Sequence, residues 1–284
     1  MGFRSATSVL VAASAFLAVF ALPGAHAATV TAVSQDPGAS FGLEELRFQA
    51  APGEENDVTI SVKGAIFASG WLVNDNSAPL TAGPGCESLD AHTASCPLVG
   101  TEVTLGVNVA LGDGHDWANV GQACGHNDQD FPCDGATVDG GSGADLIWGG
   151  EDHPSILRGG EDGDRLVAGR FGATLDGGPG ADSLIGSAAN DTLIAGSGND
   201  VNVFGYAGND RAWGGDGDDI IDGGKGNDTI SGGRGRDGLL GASGRDTFYA
   251  KDGYRDSIDG GGQNDSAGID RGKDTTRHVE RIHG

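Results

Sequence analysis

The sequence predicts an all-β protein, a parallel β-roll (a flattened β-solenoid) joined to an irregular β-rich N-terminal region. Three observations predict it. A nine-residue unit recurs from Gly140 onward, glycine supplies 53 of the 284 residues and falls at fixed places in that unit, and each unit offers one apolar residue at a fixed place. Self-similarity at a fixed period marks a solenoid, because one unit can bury its apolar side only against its neighbours.

Residues 1–27 read as an export signal. Arg4 gives a cationic start, an apolar run extends from Val9 to Leu22, and Pro23-Gly24 breaks it ahead of Ala25-His26-Ala27, small residues at the spacing a signal peptidase reads. The run is shorter than the roughly 20 residues that span a bilayer. Cleavage after Ala27, secretion to the extracellular space and no membrane insertion are therefore expected.

Residues 28–111 lack the strict unit but alternate like strands, with segments at Thr29–Val33, Leu46–Ala50, Val58–Val62, Gly70–Val73 and Thr101–Leu111. They either continue the roll as irregular coils or pack as a small sandwich, and the first arrangement is the expected one. Gly53-Glu54-Glu55-Asn56-Asp57 faintly echoes the unit. Residues 112–139 hold a closer echo, Gly112-Asp113-Gly114-His115-Asp116-Trp117, followed by an excursion over 119–135. Four cysteines in an exported chain favour two disulfides; of the three possible pairings, Cys86–Cys96 and Cys124–Cys133 close the shortest loops. Zinc is disfavoured, since neither His92 nor His126 completes a paired-ligand spacing.

Residues 140–270 carry the repeat. Gly140 opens GGSGADLIW, and the pattern returns at Gly177 (GGPGADSLI), Gly214 (GGDGDDIID), Gly223 (GGKGNDTIS) and Gly232 (GGRGRDGLL), with looser copies at Gly186, Ala195 and Gly241. Six glycine-rich positions make a turn, and three more make a short strand. Two units complete one coil of 18 residues. Alternate turns stack on one edge at about 4.8 Å, the spacing of neighbouring strands. The inward residues expected from the pattern are Ile147, Ile156, Leu166, Leu175, Leu184, Leu193, Asn202, Ala212, Ile221, Ile230, Leu239, Phe248 and Ile258.

The sixth position supplies the candidate ligands. One edge would carry Asp145, Asp164, Asp182, Asp200, Asp219, Asp237 and Asp256; the other Asp191, Asp210, Asp228, Asp246 and Asp265, failing early at Pro154 and Ala173. Asp116 is a further candidate opposite Asp145. Single insertions near Arg158, Phe204 and Arg255 would absorb the longer steps. An ion between two turns meets carboxylates and turn carbonyls. An all-oxygen set with bonds of about 2.3–2.6 Å suits calcium better than magnesium, which wants a strict octahedron, or zinc, which prefers nitrogen and sulfur. Stacked carboxylates about 5 Å apart would repel by roughly 1 kcal/mol in water and about 3 kcal/mol at an effective dielectric of 20, so folding is expected to need multiple calcium ions. Residues 271–284 would cap the open end, with Val279 and Ile282 as cap residues and His278 on the surface.

These repeats resemble the haemolysin-type, or repeats-in-toxin (RTX), calcium-binding family. The resemblance implies a calcium-folded β-roll, strongly over about half of the chain, and the layout is similar to small secreted bacterial repeat proteins. Acidic residues outnumber basic ones by 41 to 17, for a formal charge of −24, which repels nucleic acid and anionic lipid and attracts cations.

A non-catalytic calcium-binding monomer with an unidentified protein or cell-surface partner is the expected function. The rivals are a secreted hydrolase seated in residues 28–135 and an adhesin or ice-binding module. The hydrolase argument rests on Gly38-Ala39-Ser40-Phe41-Gly42, which lacks the strand and helix a nucleophile elbow needs. Gly233–Gly238 fits a dinucleotide fingerprint only because the repeat is read from its second residue. Pro132 occupies a ligand position in the EF-hand-like stretch 128–134.

Overall fold

The computed structural model describes residues 28–34, 42–62, 70–77, 79–84, 86–97, 103–122, 133–151 and 153–284. Residues 1–27 (read above as an export signal), Ser40, Cys124 and most of the EF-hand-like stretch lie outside them. Among the described residues there is no helix, and 26 strands form two 13-stranded sheets. From Val103–Ala110 onward successive strands alternate between the sheets, so each chain reversal there lies on one of two edges. In sheet one, Thr192–Ser197, Arg211–Asp216 and Thr229–Arg234 pair in parallel; in sheet two, Ser183–Ile185, Asn202–Phe204 and Ile220–Asp222 do the same. The strands from Cys133–Ser142 to Thr275–Arg277 make eight such coils.

The apolar residue of each strand points between the sheets. Leu166, Leu184, Ile221 and Leu239 from sheet two meet Leu175, Leu193, Ile230 and Phe248 from sheet one, all fully buried. Two expected inward residues are corrected. Leu157 is buried while Ile156 is 40% exposed, and Val203 is buried in place of the exposed Asn202.

The reason is where extra residues enter the coil. Trp148 faces Val167, a step of 19, whereas Ser155 faces Ala173, a step of 18, so the first insertion lies in 149–154 and not near Arg158. Asp200 follows Asp182 by 18 residues but Val203 faces Leu184. The second insertion is therefore the exposed Val201, not Phe204. The third falls in 251–255, next to Arg255 as expected. A one-residue slip exchanges the two faces of a strand, which accounts for both corrections.

The N-terminal region continues the roll. Gly42–Gln49 and Asp57–Val62 stack in parallel on Val103–Ala110 and Trp117–Gln122, which stack in turn on Cys133–Ser142 and Leu146–Trp148. Beyond the first coil the pairing turns antiparallel. Ala28–Ser34 lies on Gly42–Gln49, Gly70–Asp75 on Asp57–Val62, and Thr93–Pro97 on Gly70–Asp75. Reversing direction there closes the open parallel edge with strands of another register. The Cys86–Cys96 disulfide forms as expected and ties this region together. At the other end Thr275–Arg277 and Arg281–His283 cover the last coil. Val279 packs against the core, but Ile282 is 41% exposed and does not serve as a cap residue. His278 lies at the surface, paired to Asp259 at 2.7 Å.

Candidate metal sites

Each candidate site begins as a glycine bend. In Gly214-Gly215-Asp216-Gly217-Asp218-Asp219, Gly215 and Gly217 take φ values of +117° and +141°, a region that side chains other than glycine's rarely adopt. Gly214 meets a different constraint. A Cβ there would lie 2.3 Å from Asp219 Oδ2 and 2.3 Å from the carbonyl oxygen of Gly232 in the next coil. The absent side chain thus leaves a cradle where a carboxylate oxygen and a carbonyl oxygen converge.

The sixth-position aspartates form two hydrogen-bonded ladders. On the first edge the backbone N–H of Asp145 donates to Oδ1 of Asp164 (2.8 Å), Asp164 to Asp182 (2.7 Å) and Asp182 to Asp200 (2.7 Å). Asp200 then donates to Asp219 (2.9 Å), Asp219 to Asp237 (2.9 Å) and Asp237 to Asp256 (3.0 Å). On the second edge Asp191, Asp210, Asp228 and Asp246 each donate to the next aspartate, ending at Asp265, all at 2.8 Å. All twelve expected residues are brought together in this way, and none is more than 3% exposed.

The ladders run further than the repeat. Asn56 donates to Asp116 (2.5 Å) and Asp116 to Asp145 (2.8 Å), while Asp256 donates to Asp274 (3.1 Å). On the second edge Asp265 donates to Glu280 Oε2 at 2.7 Å. Asp116 was expected; Asn56, Asp274 and Glu280 were not. The faint echo at Gly53–Asp57 was a usable signal for Asn56. Asp274 lies one regular step of 18 residues beyond Asp256 and was a usable signal too, whereas Glu280 follows Asp265 by 15 residues, a spacing that no repeat could reveal. The second edge stops at Ala173, whose N–H still donates to Asp191 Oδ1 at 2.7 Å. The preceding position is Ser155 and not Pro154, because the insertion lies just before it.

One oxygen of each rung is therefore used and the other is not. Oδ2 is buried without a hydrogen-bond partner at Asp116, Asp145, Asp164, Asp182, Asp200, Asp210, Asp219, Asp228, Asp237, Asp246, Asp256 and Asp265. Buried polar atoms are normally paired, and leaving one unpaired costs about 1–3 kcal/mol. Asp191 is the exception. Its Oδ2 accepts the N–H and the hydroxyl of Ser187, at 2.6 and 3.0 Å.

Burial pushes these carboxyls up, to about 7 at Asp164, Asp210, Asp246 and Asp256 and to about 6 at Asp116, Asp145, Asp182, Asp219 and Asp237. Asp191, Asp200, Asp228 and Asp265 shift in the same direction. Loss of hydration is the largest cause at every rung. The hydrogen bond from the neighbouring N–H opposes it, and repulsion between carboxylates comes after both. To the mutual repulsion expected from the spacing the structure adds a larger cause: the carboxylates are held away from water. The donor set is oxygen only, ionic and under-coordinated, which fits a hard cation such as calcium.

A family model described as RTX calcium-binding nonapeptide repeat matches in four copies, at residues 135–153, 168–201, 204–239 and 224–254. No curated protein and no solved structure matches the chain.

Proposed function

Because residues 135–254 are an array of RTX calcium-binding nonapeptide repeats, we propose that this chain is a secreted, non-catalytic β-roll protein whose folding is coupled to extracellular calcium. One observation carries the reading: two continuous ladders of buried aspartates, each rung but Asp191 with one oxygen lacking any partner. Calcium ions between successive bends satisfy those oxygens together with the bend carbonyls. The ligands are Asp145, Asp164, Asp182, Asp200, Asp219, Asp237 and Asp256 on one edge and Asp210, Asp228, Asp246 and Asp265 on the other. Asp116 adds a rung before the repeat, and Asp191, already held by Ser187, contributes least.

Extracellular calcium modules bind in the range of about 10⁻⁴–10⁻³ M, so the chain stays open inside the cell and winds once exported. Binding and folding are one equilibrium. Circular dichroism of the full chain with calcium added and then chelated tests this. The β signal should strengthen with the ion and weaken with the chelator, and a spectrum indifferent to both rejects the coupling.

A further inference from the structure

The bend over 250–256 departs from every other bend of the roll. Its two leading glycines are replaced by Ala250 and Lys251, and it carries the extra residue of the third insertion. Gly253 takes a φ of +97°, which turns the preceding residue back over the stack. That residue is Asp252. Its Oδ1 accepts the N–H of Tyr254 at 2.8 Å, and its Oδ2 accepts the N–H of Gly235, in the preceding bend, at 3.3 Å. The bend is pinned from the following coil as well, where Gly253 N–H donates to Asp270 and Lys273 Nζ donates to the Gly253 carbonyl.

The result is a juxtaposition found once among the described residues. Asp237, Asp252 and Asp256 each place one carboxylate oxygen within 4.8 Å of the others. Elsewhere the third residue of a bend faces away: Asp216, for example, lies 3.7 Å from Arg234. The slot is also short of partners. Asp237 and Asp256 are 3% and 1% exposed, and their Oδ2 atoms have none. A regular slot offers two carboxylates to one ion, and this one offers three. Affinity of oxygen sites for calcium rises with the number of charged ligands and the rigidity of the loop, and here both increase.

We propose that Asp252 completes a three-carboxylate site with Asp237 and Asp256, and that this slot holds the tightest calcium ion of the roll. The inference rests on the calcium reading above and sharpens it, since it makes one bend near the C-terminal end the first to be occupied. From there the roll is ordered in both directions, because the same aspartates belong to the ladder.

Calorimetric titration of the full chain with calcium chloride, for the wild type and for Asp252→Asn, provides the test. Asparagine keeps the oxygen that accepts Tyr254 N–H and removes the charge together with the weaker acceptor of Gly235 N–H. Asp176→Asn, which removes a negative charge that acts on another ladder aspartate, Asp182, from a neighbouring strand, is the matched control. The wild type should hold one ion roughly tenfold more tightly than the rest. Asp252→Asn should abolish that distinction and leave the weaker sites in place, and Asp176→Asn should preserve it. A tightest ion unchanged by Asp252→Asn, or weakened equally by Asp176→Asn, overturns the proposal while leaving the roll a calcium binder. No calcium uptake by the wild type overturns both.

Discussion

The two edges of the roll are made from one repeat, yet they differ in how their bends are held. The first edge is acidic from Asp116 to Asp274 without a break. The second begins with Ala136, Ser155 and Ala173 in place of aspartate and turns acidic only at Asp191. Ala173 still donates to Asp191, and at the other two neutral bends groups other than aspartate do the holding. Gly150 N–H donates to Ser155 Oγ at 3.1 Å, and Ala136 N–H donates to the Pro154 carbonyl at 3.3 Å. The strands there keep the same parallel register as the rest. The comparison teaches that stacking itself does not need aspartate. On the calcium reading proposed above, the acidic rungs are where the ion acts, and the neutral bends offer it no carboxylate.

The largest effect should come from removing calcium at neutral pH. Hydrogen exchange of the chelated protein should show protection lost through residues 181–270, where both edges are acidic, and retained in strands 42–49, 57–62 and 70–75, which have antiparallel neighbours and the Cys86–Cys96 tie. Uniform loss over the whole chain would break the comparison.

Acid should substitute for the metal. A carboxyl whose pKa is higher in the folded than in the unfolded chain binds its proton better when folded. It therefore supports folding below its unfolded value of about 4 and withdraws that support as pH rises through about 6 to 7, the values set by burial at Asp145 and Asp164. Thermal melts of the chelated protein should accordingly move upward between pH 7.5 and pH 5. Calcium affinity should move the other way, since each ion must displace protons. A chelated protein that melts at the same temperature across this range would contradict the assignment of dry carboxyls.

Asp219→Ala combined with Asp237→Ala, two adjacent rungs of the first edge, should raise the calcium concentration needed for folding several-fold. Asp210→Ala with Asp228→Ala should do the same on the second edge, to a similar extent. A null result on either edge, read by circular dichroism against calcium, would show that its ladder is ornamental. The smallest change is a gain. Ala173→Asp should lengthen the second ladder by one rung, adding one bound ion in calorimetry while costing the chelated protein about 1–3 kcal/mol for the new unpaired oxygen. Unchanged stoichiometry would mean that Asp191, held by Ser187, cannot share an ion.

Much of this was legible in the sequence because the roll repeats its own chemistry. The sixth-position aspartates, the alternation of edges and the early failure of the second edge all follow from spacing. What spacing could not supply was the place of each extra residue. Val201 and the bend 149–154 shift the inward position by one, so Val203 and Leu157 take the places expected for Asn202 and Ile156. The strands at Leu80–Ala82, Glu87–Ser88 and Trp117–Gln122 escaped notice because they are short or carry polar residues, and only their partners make them strands. Asp252 was hidden for another reason. It sits at a variable position of the unit, and it matters only because a neighbouring insertion folds it over the slot.

The hydrogen bonds between rungs all point one way, from the N–H of one coil to the carboxylate of the coil that follows it. Within the aspartate ladder each rung is therefore finished by its successor, even though backbone bonds such as Arg165 N–H to the Asp145 carbonyl tie it to its predecessor as well. A chain emerging N-terminus first offers donors whose acceptors have not yet arrived, and winding can be completed only as the tail delivers Asp274 and Glu280. The polarity of the ladder thus makes every rung wait on residues that come later in the chain.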